Sequence, residues 1–406
     1  MDLHSGLPLW IAKNKLYGYY HPLRQNIDKT VVIIGSGITG SLIAHELCSN
    51  GIDCCVIDKR SISLGSTAAS TSQLQYEIDV PLHQLIDKIG EKEATRAYKD
   101  CLKSISDVKK VLEETNTIAP FEQIPTFFFA SNKQGLDLIR KEYEVRSKNG
   151  LPVQFLDKEQ LFKQLGINKP GALYNNTSAQ MDSYQAATGI LDYHKEKNGL
   201  HLYSHTLVTT YKKQKDGYQL TTAEGFRINC RYVIIAAGFE AGEFLPKKVM
   251  DLRSTYAIAS QPLDKAMLWH KRALIWETKN PYLYMRTTAD CRIIVGGEDI
   301  PYSSPDKRDR LLQQKTKTLE RKFRKLFPDI PFVTEMSWCG TFSATSDGLP
   351  FIGAWPRRPH MLFALGYGGN GITFSMLAAQ ILCQIVQGKE DNRLELYGFH
   401  RIDKKA

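Results

Sequence analysis

From Thr30 onward, strand-like apolar runs and helical stretches alternate in a regular order. Val31-Val32-Ile33-Ile34 is a run of the kind buried on both faces of a sheet; a glycine-rich turn follows, and Ser41 to Asn50 has helical composition ending at Gly51. A second apolar run, Cys54 to Ile57, terminates in Asp58, so strand, turn, helix, strand and acid make one compact βαβ unit. Residues 81–115 and 134–149 predict helices rich in Lys, Glu and Leu, with a strand from Pro125 to Ala130 between them. A mixed region from 151 to 250 closes on a third buried strand, Tyr232 to Gly238. Strands recur at Tyr282-Leu283-Tyr284-Met285-Arg286 and Arg292-Ile293-Ile294-Val295-Gly296-Gly297. Leu312, Leu319, Phe323 and Leu326 recur at helical spacing, and an apolar helix follows Gly366-Tyr367-Gly368-Gly369-Asn370-Gly371 to about Gln387. Residues 1–27, with Trp10, Tyr17, Tyr19 and Tyr20, have no clear period and predict an irregular arm lying on the globular body.

Composition narrows the class. A chain of 406 residues suggests two to three domains at roughly 150 residues each. With 42% hydrophobic and 24% charged residues it reads as folded and water-soluble, excluding disordered and collagen-like chains. No apolar run approaches the roughly 20 residues that span a bilayer, and the start lacks the basic and apolar regions of a secretory signal, so a cytoplasmic protein without membrane insertion is expected. Eight cysteines, at 48, 54, 55, 101, 230, 291, 339 and 383, form no CxxC pair and indicate neither a disulfide framework nor a metal site; Cys54 and Cys55 read as buried small hydrophobes. The formal charge of +10 favours an anionic cofactor, an acidic substrate or a nucleic-acid surface without choosing among them. Residues 301–330 hold nine Lys or Arg against four Asp or Glu, read as the solvated face of an amphipathic helix.

The chemistry begins at Gly35-Ser36-Gly37-Ile38-Thr39-Gly40. In such a turn the first glycine makes the tight bend, the second lets the backbone approach a pyrophosphate and the third permits close helix-to-strand packing. The following helix aims its N-terminal amides at the phosphates. Asp58, 23 residues after Gly35, is placed to accept hydrogen bonds from a ribose hydroxyl pair. A lone GxGxxG is weak; here the strand before it, the helix after it and the acid ending the next strand make the dinucleotide reading strong. The motif alone does not separate NAD from FAD, since both present adenosine and pyrophosphate to the same turn.

Other motifs carry a resemblance. Gly65-Ser66-Thr67-Ala68-Ala69-Ser70 follows the acid, Ala236-Ala237-Gly238 ends the late strand, and Asp347-Gly348-Leu349-Pro350-Phe351-Ile352-Gly353 precedes the loop Gly366 to Ile372. In these, from Thr30 to about Gln387, the chain resembles the D-amino acid oxidase-like flavoproteins that include glycine oxidase and sarcosine oxidase. The resemblance implies FAD as cofactor and an α/β fold, a Rossmann-type FAD-binding domain interleaved with an α+β substrate domain on a mixed or antiparallel sheet. The expected division is an arm at 1–27, an FAD-binding domain at 28–85, 148–250 and 338–392, and a substrate domain at 86–147 and 251–337. The cofactor set it implies is Gly35, Gly37, Ile38, Thr39, Gly40, Asp58, Lys59, Ser66, Thr67, Ala68, Val208, Ala237 and Gly238, with Gly368, Gly369, Asn370, Gly371 and Ile372. Independently of family, amides exposed before a helix suit the electron-rich pyrimidine edge of a flavin and the anion formed on its reduction; an NAD enzyme has no need of them.

The implied reaction is oxidation of a carbon next to an amine nitrogen by hydride transfer to flavin N5, followed by imine hydrolysis, the protein orienting the substrate and excluding water. Similar amino acid oxidases clamp the substrate carboxylate with an arginine shortly before the Asp-Gly-x-Pro run; that position is Phe342 here, a departure that weakens the case for a simple α-amino acid. Arg286 is the alternative source of charge, and Tyr282 and Tyr284 give one strand face an aromatic character suited to lie over the flavin. These three are the candidate catalytic residues; Gln75, Tyr76 and Glu77 are further candidates for the same cavity. Sarcosine oxidase-like relatives attach FAD through a cysteine near Cys339, but the register is shifted by about one residue and Cys339 reads mainly as a buried thiol. The expected partners are a small amine or amino acid, with oxygen or an electron carrier as acceptor; nucleic acid is not an expected partner. Three alternatives stay open: a tRNA-modifying amine oxidoreductase, a flavin-binding protein without turnover, and a plain NAD dehydrogenase.

Overall fold

The structure is a computed structural model that describes residues 4–14, 16, 18 and 20–405. The apolar runs assemble an eight-stranded sheet in the order Phe351–Trp355, Arg358–Leu365, Arg227–Ile235, Ile27–Ile34, Cys54–Ile57, His201–Tyr203, with the hairpin Val208–Gln214 and Gly217–Thr222 attached to Arg227–Ile235. From Arg358–Leu365 to His201–Tyr203 the neighbours are parallel, and Ile34, Ile57 and Ile235 stand level at their carboxyl ends. The chain leaves Ile27–Ile34 toward one side and returns on the other, so the crevice at these ends is a topological switch point, where open α/β sheets bind ligands. Side chains alternate as a pleated strand requires. Val31 and Ile33 pack under the helices Ile38–Ser49, Ser183–Asn198 and Gly371–Val386, whereas Val32 packs with Tyr218, Phe363 and Phe399 on the opposite face.

A second sheet of ten strands runs His4–Gly6, Thr334–Ala344, Asp251–Ser260, Ile293–Pro301, Tyr284–Thr287, Leu274–Glu277, Glu122–Phe129, Gly171–Gln180, Gln73–Leu74, with Gln154–Asp157 on Gly171–Gln180. It is antiparallel except where Leu274–Glu277 meets Glu122–Phe129. The amphipathic helix is Leu312–Leu326; its Leu319 and Phe323 are fully buried against Trp269, Phe327 and Phe332. Lys315 and Lys322 of its basic face pair with Glu298, which spends part of that charge. No helix among the described residues is long and apolar enough to cross a membrane.

Three sequence expectations need correction in detail. The stretch 81–115 is two helices, Leu82–Ile89 and Glu91–Glu114, because Gly90 at φ +88° breaks the run. The N-terminal arm is not irregular throughout: His4–Gly6 pairs with Trp338 to Gly340, and Leu9–Lys13 is a short helix whose Trp10 is buried and donates Nε1–H to the Ser70 carbonyl at 2.6 Å. Tyr20 is buried as well; Tyr17 and Tyr19 lie outside the described residues. Strands Gln154–Asp157 and Gly171–Gln180, allotted above to the FAD-binding part, pair within the ten-stranded sheet, as does Thr334–Ala344 beyond residue 338.

A buried ionic cluster ties helix Lys133–Lys148 to the segment that follows Gln73–Leu74. Arg146 donates to Glu142 at 2.6–2.7 Å and to Glu77 at 3.3 Å, and its guanidinium lies 5.7 and 5.6 Å from the Tyr76 and Tyr98 rings. Glu142 also accepts from the backbone N–H of His83 at 2.8 Å, and Asn175 donates to Glu77 at 2.6 Å. Burial works to raise the Glu142 carboxyl, but Arg146 and His83 prevail and hold it at about 2. Its stabilising contribution is therefore complete above the ordinary carboxylate range near ~4.3 and is lost as pH falls toward 2. Arg146→Met strands two buried carboxylates and should cost about 3–5 kcal/mol near neutral pH. Urea unfolding followed by circular dichroism measures this; a loss below about 1 kcal/mol would assign the cluster no more weight than a surface pair.

Candidate active site

At the switch point the backbone itself forms the wall. Gly35 has φ +112°, and a Cβ there would lie 2.4 Å from the Ala236 carbonyl oxygen; a Cβ on Gly40 would lie 1.9 Å from the Gly35 carbonyl oxygen. The turn is braced from the next strand: Ser36 donates its N–H at 2.9 Å and its hydroxyl at 2.6 Å to Asp58 Oδ2, while Ser63 donates its N–H to Ser36 Oγ and its hydroxyl to Ser36 O. Asp58 Oδ1 accepts from Arg60 N–H at 2.8 Å. With three of its roughly four acceptor sites engaged, Asp58 keeps one for a ribose hydroxyl. Lys59 and Arg60 close on Glu240 at 2.9–3.0 Å, and despite burial these partners hold its carboxyl below the ordinary range. Thr67 Oγ1 accepts from Ile38 N–H at 2.9 Å, fastening the loop after the acid to the helix start.

From this cradle one cavity of about 390 Å³ runs past Val208, Ala237, Gly238, Ser66 and Thr67 to the loop Gly366–Ile372. Of the residues expected to hold the cofactor, Gly35, Gly37, Ile38, Thr39, Asp58, Lys59, Gly368, Gly369, Asn370, Gly371 and Ile372 also line it. Gly40 and Ala68 do not: Gly40 is consumed in packing helix against strand, and Ala68 is fully buried beside Leu9 and Trp10.

The far end is walled by an extended segment, Gln73 to Asp79, whose polar positions 73, 75, 77 and 79 face the cavity while Leu74 and Tyr76 are buried in the core. Asn370 donates Nδ2–H to the carbonyls of Gln75 at 3.2 Å and Glu77 at 2.8 Å, and Gly369 N–H donates to Asp79 Oδ2 at 2.7 Å. The glycine loop and this segment are therefore one rigid unit. Opposite stand Tyr282, Tyr284, Trp276, Thr255, Asp299 and Phe342. The Tyr282 ring centroid lies 5.8 Å from that of Tyr284 and 6.1 Å from that of Trp276, and its hydroxyl reaches toward Asp79 Oδ1 at 3.4 Å. Burial raises the carboxyl of Asp79, that of Asp299 to about 6, and the Tyr284 hydroxyl to about 12.

The comparisons with known proteins agree with this geometry. A family model described as FAD dependent oxidoreductase matches residues 30–385. The chain belongs to that family. It is similar to the gamma-glutamylputrescine oxidoreductase of Escherichia coli K12, at 23% identity over 96% of this chain and 90% of that one. Among solved structures it is similar to L-proline dehydrogenase from P. horikoshii, with a TM-score of 0.78 at 21% identity over 94% and 99% of the two chains, and to glycine oxidase from Geobacillus kaustophilus, with 0.75 at 21% over 91% and 98%.

As an FAD-dependent oxidoreductase the chain departs from its sequence reading at two candidate positions. Arg286 does not line the cavity. It is 2% exposed, donates Nη1–H to the carbonyls of Thr71, Ser72 and Met181 at 2.8–2.9 Å and Nε–H to that of Thr287 at 3.1 Å, and lies over the Trp10 ring. Burial lowers it to about 9. It is a strut for the backbone leading into Gln73–Asp79, with its Nε and Nη1 donors on main-chain carbonyls. Tyr76 is likewise in the core, donating to the Pro152 carbonyl at 2.8 Å. Cys339 is buried with Sγ toward Ser5 O and Asp309 Oδ1, outside the cavity lining. Sequence reasoning missed Asp79, Asp299 and Trp276. The signal for Asp79 was present in the strict polar and apolar alternation of Gln73-Leu74-Gln75-Tyr76-Glu77-Ile78-Asp79, a pattern that fits a water-lined cavity as well as a sheet surface.

Folding favours the protonated form of Asp299, because its carboxyl sits near 6 against an ordinary value of ~3.9. The linked stability is complete below about pH 4, is lost as pH rises through 6, and leaves a cost of up to about 3 kcal/mol above that. Asp299→Asn should therefore stabilise the protein by about 1–3 kcal/mol near pH 8 and change little near pH 4. Urea unfolding at the two pH values checks it, and an equal effect at both would remove ionisation as the cause.

Proposed function

We propose that this chain holds FAD non-covalently along the cavity and uses it to oxidise the C–N bond of a small amine or amino acid. The observation that carries the reading is the continuity of one cavity. It joins the glycine turn at Gly35–Gly40, suited to a pyrophosphate, to an end walled by tyrosines and closed by the Gly366–Ile372 loop before helix Gly371–Val386. The residues fit the cofactor: backbone comes bare to the surface at Gly37, Gly238 and Gly371, and the cavity volume lies within the roughly 300–1,000 Å³ usual for bound small molecules.

FAD, when bound, supplies the hydride acceptor for the carbon beside the amine nitrogen, and the imine product hydrolyses in water to a carbonyl compound and an amine. The chain's own residues position and shield. Tyr282, Tyr284 and Trp276 form an apolar wall against which a substrate carbon can be held, and Gln73 and Gln75 offer amides for orientation. No side-chain nucleophile is needed, and the buried position of Cys339 favours non-covalent attachment. Oxygen or an electron carrier completes the cycle.

The purified protein should show a two-band flavin spectrum, release FAD into the supernatant on denaturation, and bleach anaerobically with an amine or amino acid. Gly37→Leu, whose Cβ would begin 2.7 Å from Thr67 Oγ1, should fold by circular dichroism yet lose most of its flavin. A colourless wild-type protein that no added FAD reconstitutes would sink the reading.

A further inference from the structure

The far end of the cavity is acidic beyond anything that generic amine oxidation requires. Glu77, Asp79 and Asp299 all line it, and the cationic side chains among the lining residues, Lys59 and Arg60, lie at the nucleotide end and are engaged with Glu240. Two of these acids are incompletely satisfied. Glu77 is 4% exposed and its Oε2 has no hydrogen-bond partner, its Oε1 being taken by Asn175 and Arg146; Asp299 Oδ1 likewise has none, beside the Thr255 hydroxyl. Buried polar atoms are almost always paired, so these acceptors, covered within residues of the cavity wall, leave that wall with carboxylate capacity its own donors do not satisfy. The surrounding walls are the faces and edges of Tyr282, Tyr284 and Trp276, the lining that cations prefer. A carboxylate finds no cationic clamp among the lining residues of this end: Phe342 stands in the cavity where an arginine would serve, and Arg286 lies outside the lining with Nε and Nη1 on backbone carbonyls. The remaining cation near both aspartates is Arg253, an exposed residue outside the lining.

We propose that Asp79, Asp299 and Glu77, with the rings of Tyr282 and Trp276, form a subsite for an organic ammonium group, and that the substrate is a cationic alkylamine or diamine lacking an α-carboxylate. This rests on the reading of the cavity as the site of flavin-dependent C–N oxidation. The acids act in both directions: they attract the ammonium and repel the carboxylate of a zwitterionic amino acid, Glu77 less than the two aspartates because Arg146 pairs with it.

The test uses the flavin-containing protein as purified, with n-butylamine, 1,4-diaminobutane, glycine and L-proline as probes. Two quantities are read: the half-saturating concentration for anaerobic bleaching of the flavin, and, independently of turnover, the rise in Tm on ligand addition. One or both amines should raise Tm and bleach the flavin at concentrations about tenfold or more below those needed for glycine or proline. Asp299→Asn should raise the amine concentration about tenfold or more while flavin content and reduction by dithionite stay unchanged, and Asp299→Glu should recover part of the loss. Asp79→Asn is the second variant should the first fail to fold. Preference for glycine or proline, no Tm response to either amine, or an unmoved amine concentration in both aspartate variants would overturn the subsite while leaving the flavin reading intact. A wild-type protein without flavin would instead overturn the reading beneath it.

Discussion

The structure depends on how closely three pieces of backbone approach one another at the carboxyl ends of the parallel strands. Gly35 passes against Ala236, and Gly40 against Gly35, at distances that leave no room for a single methyl group. That contact seats helix Ile38–Ser49 directly on strand Ile27–Ile34 and brings its N-terminus to the edge of the crevice. The Asp58–Ser36–Ser63 hydrogen bonds then lock the turn to the neighbouring strand and to the loop beyond it. Any larger residue at these two positions would lift the helix, and with it the amides and dipole end that suit a pyrophosphate.

The rest of the cavity is built from the opposite strategy, in which buried charge stiffens a wall that carries no regular structure of its own. Only Gln73 and Leu74 of the segment 73–79 are strand. What holds the remainder is Asn370 on its carbonyls, Gly369 on Asp79, Arg146 on Glu77, and Arg286 on the backbone just before it. Buried arginines of this kind cost several kcal/mol to desolvate, and good geometry on several acceptors offsets that cost. Both arginines therefore act through backbone and carboxylate partners behind the wall. The two ends of the cavity differ as a result: at the glycine turn Lys59 and Arg60 are paired with Glu240, whereas no cationic side chain is among the lining residues beside Asp79 and Asp299.

Much of this was legible from residue order alone. The βαβ unit, the acid after it, the late strand and the C-terminal glycine loop are local patterns, and the main strands and helices fell near where periodicity placed them, apart from the split at Gly90, the elements of the arm and the strand expected from Tyr282, which begins at Tyr284. What escaped was set by contacts distant in sequence. The pairing of His4–Gly6 with Trp338 to Gly340 joins positions more than 300 apart, and no local period announces it. Arg286 looked like a free charge on a tyrosine-rich strand; only its burial against Thr71, Ser72 and Met181 shows that it braces the backbone outside the cavity lining. Asp299 was hidden by a register shift. Strand Ile293–Pro301 slips against Asp251–Ser260 between Ser254 and Tyr256, and such an irregularity decides which of two adjacent acids, Glu298 or Asp299, turns inward. Glu298 went to Lys315 and Lys322, and Asp299 to the cavity.

The same example shows why net charge says little about one end of a cavity. A formal charge of +10 favoured an anionic cofactor, an acidic substrate or a nucleic-acid surface without choosing among them, and FAD, the cofactor of this family, is anionic; a basic stretch lay in residues 301–330. Yet the lysines of that helix nearest the sheet neutralise Glu298, and the neighbouring acid on the same strand, Asp299, lines the far end of the cavity. Fields from exposed lysines are screened within about a Debye length of ~8–10 Å in ordinary salt. Carboxylates lining a cavity act on a bound group at contact distance, where the effective dielectric is lower than in bulk water and each unit of charge counts for more. The local sign at the far end thus follows from the acids that line it, and the surplus of cations on the surface does not change it.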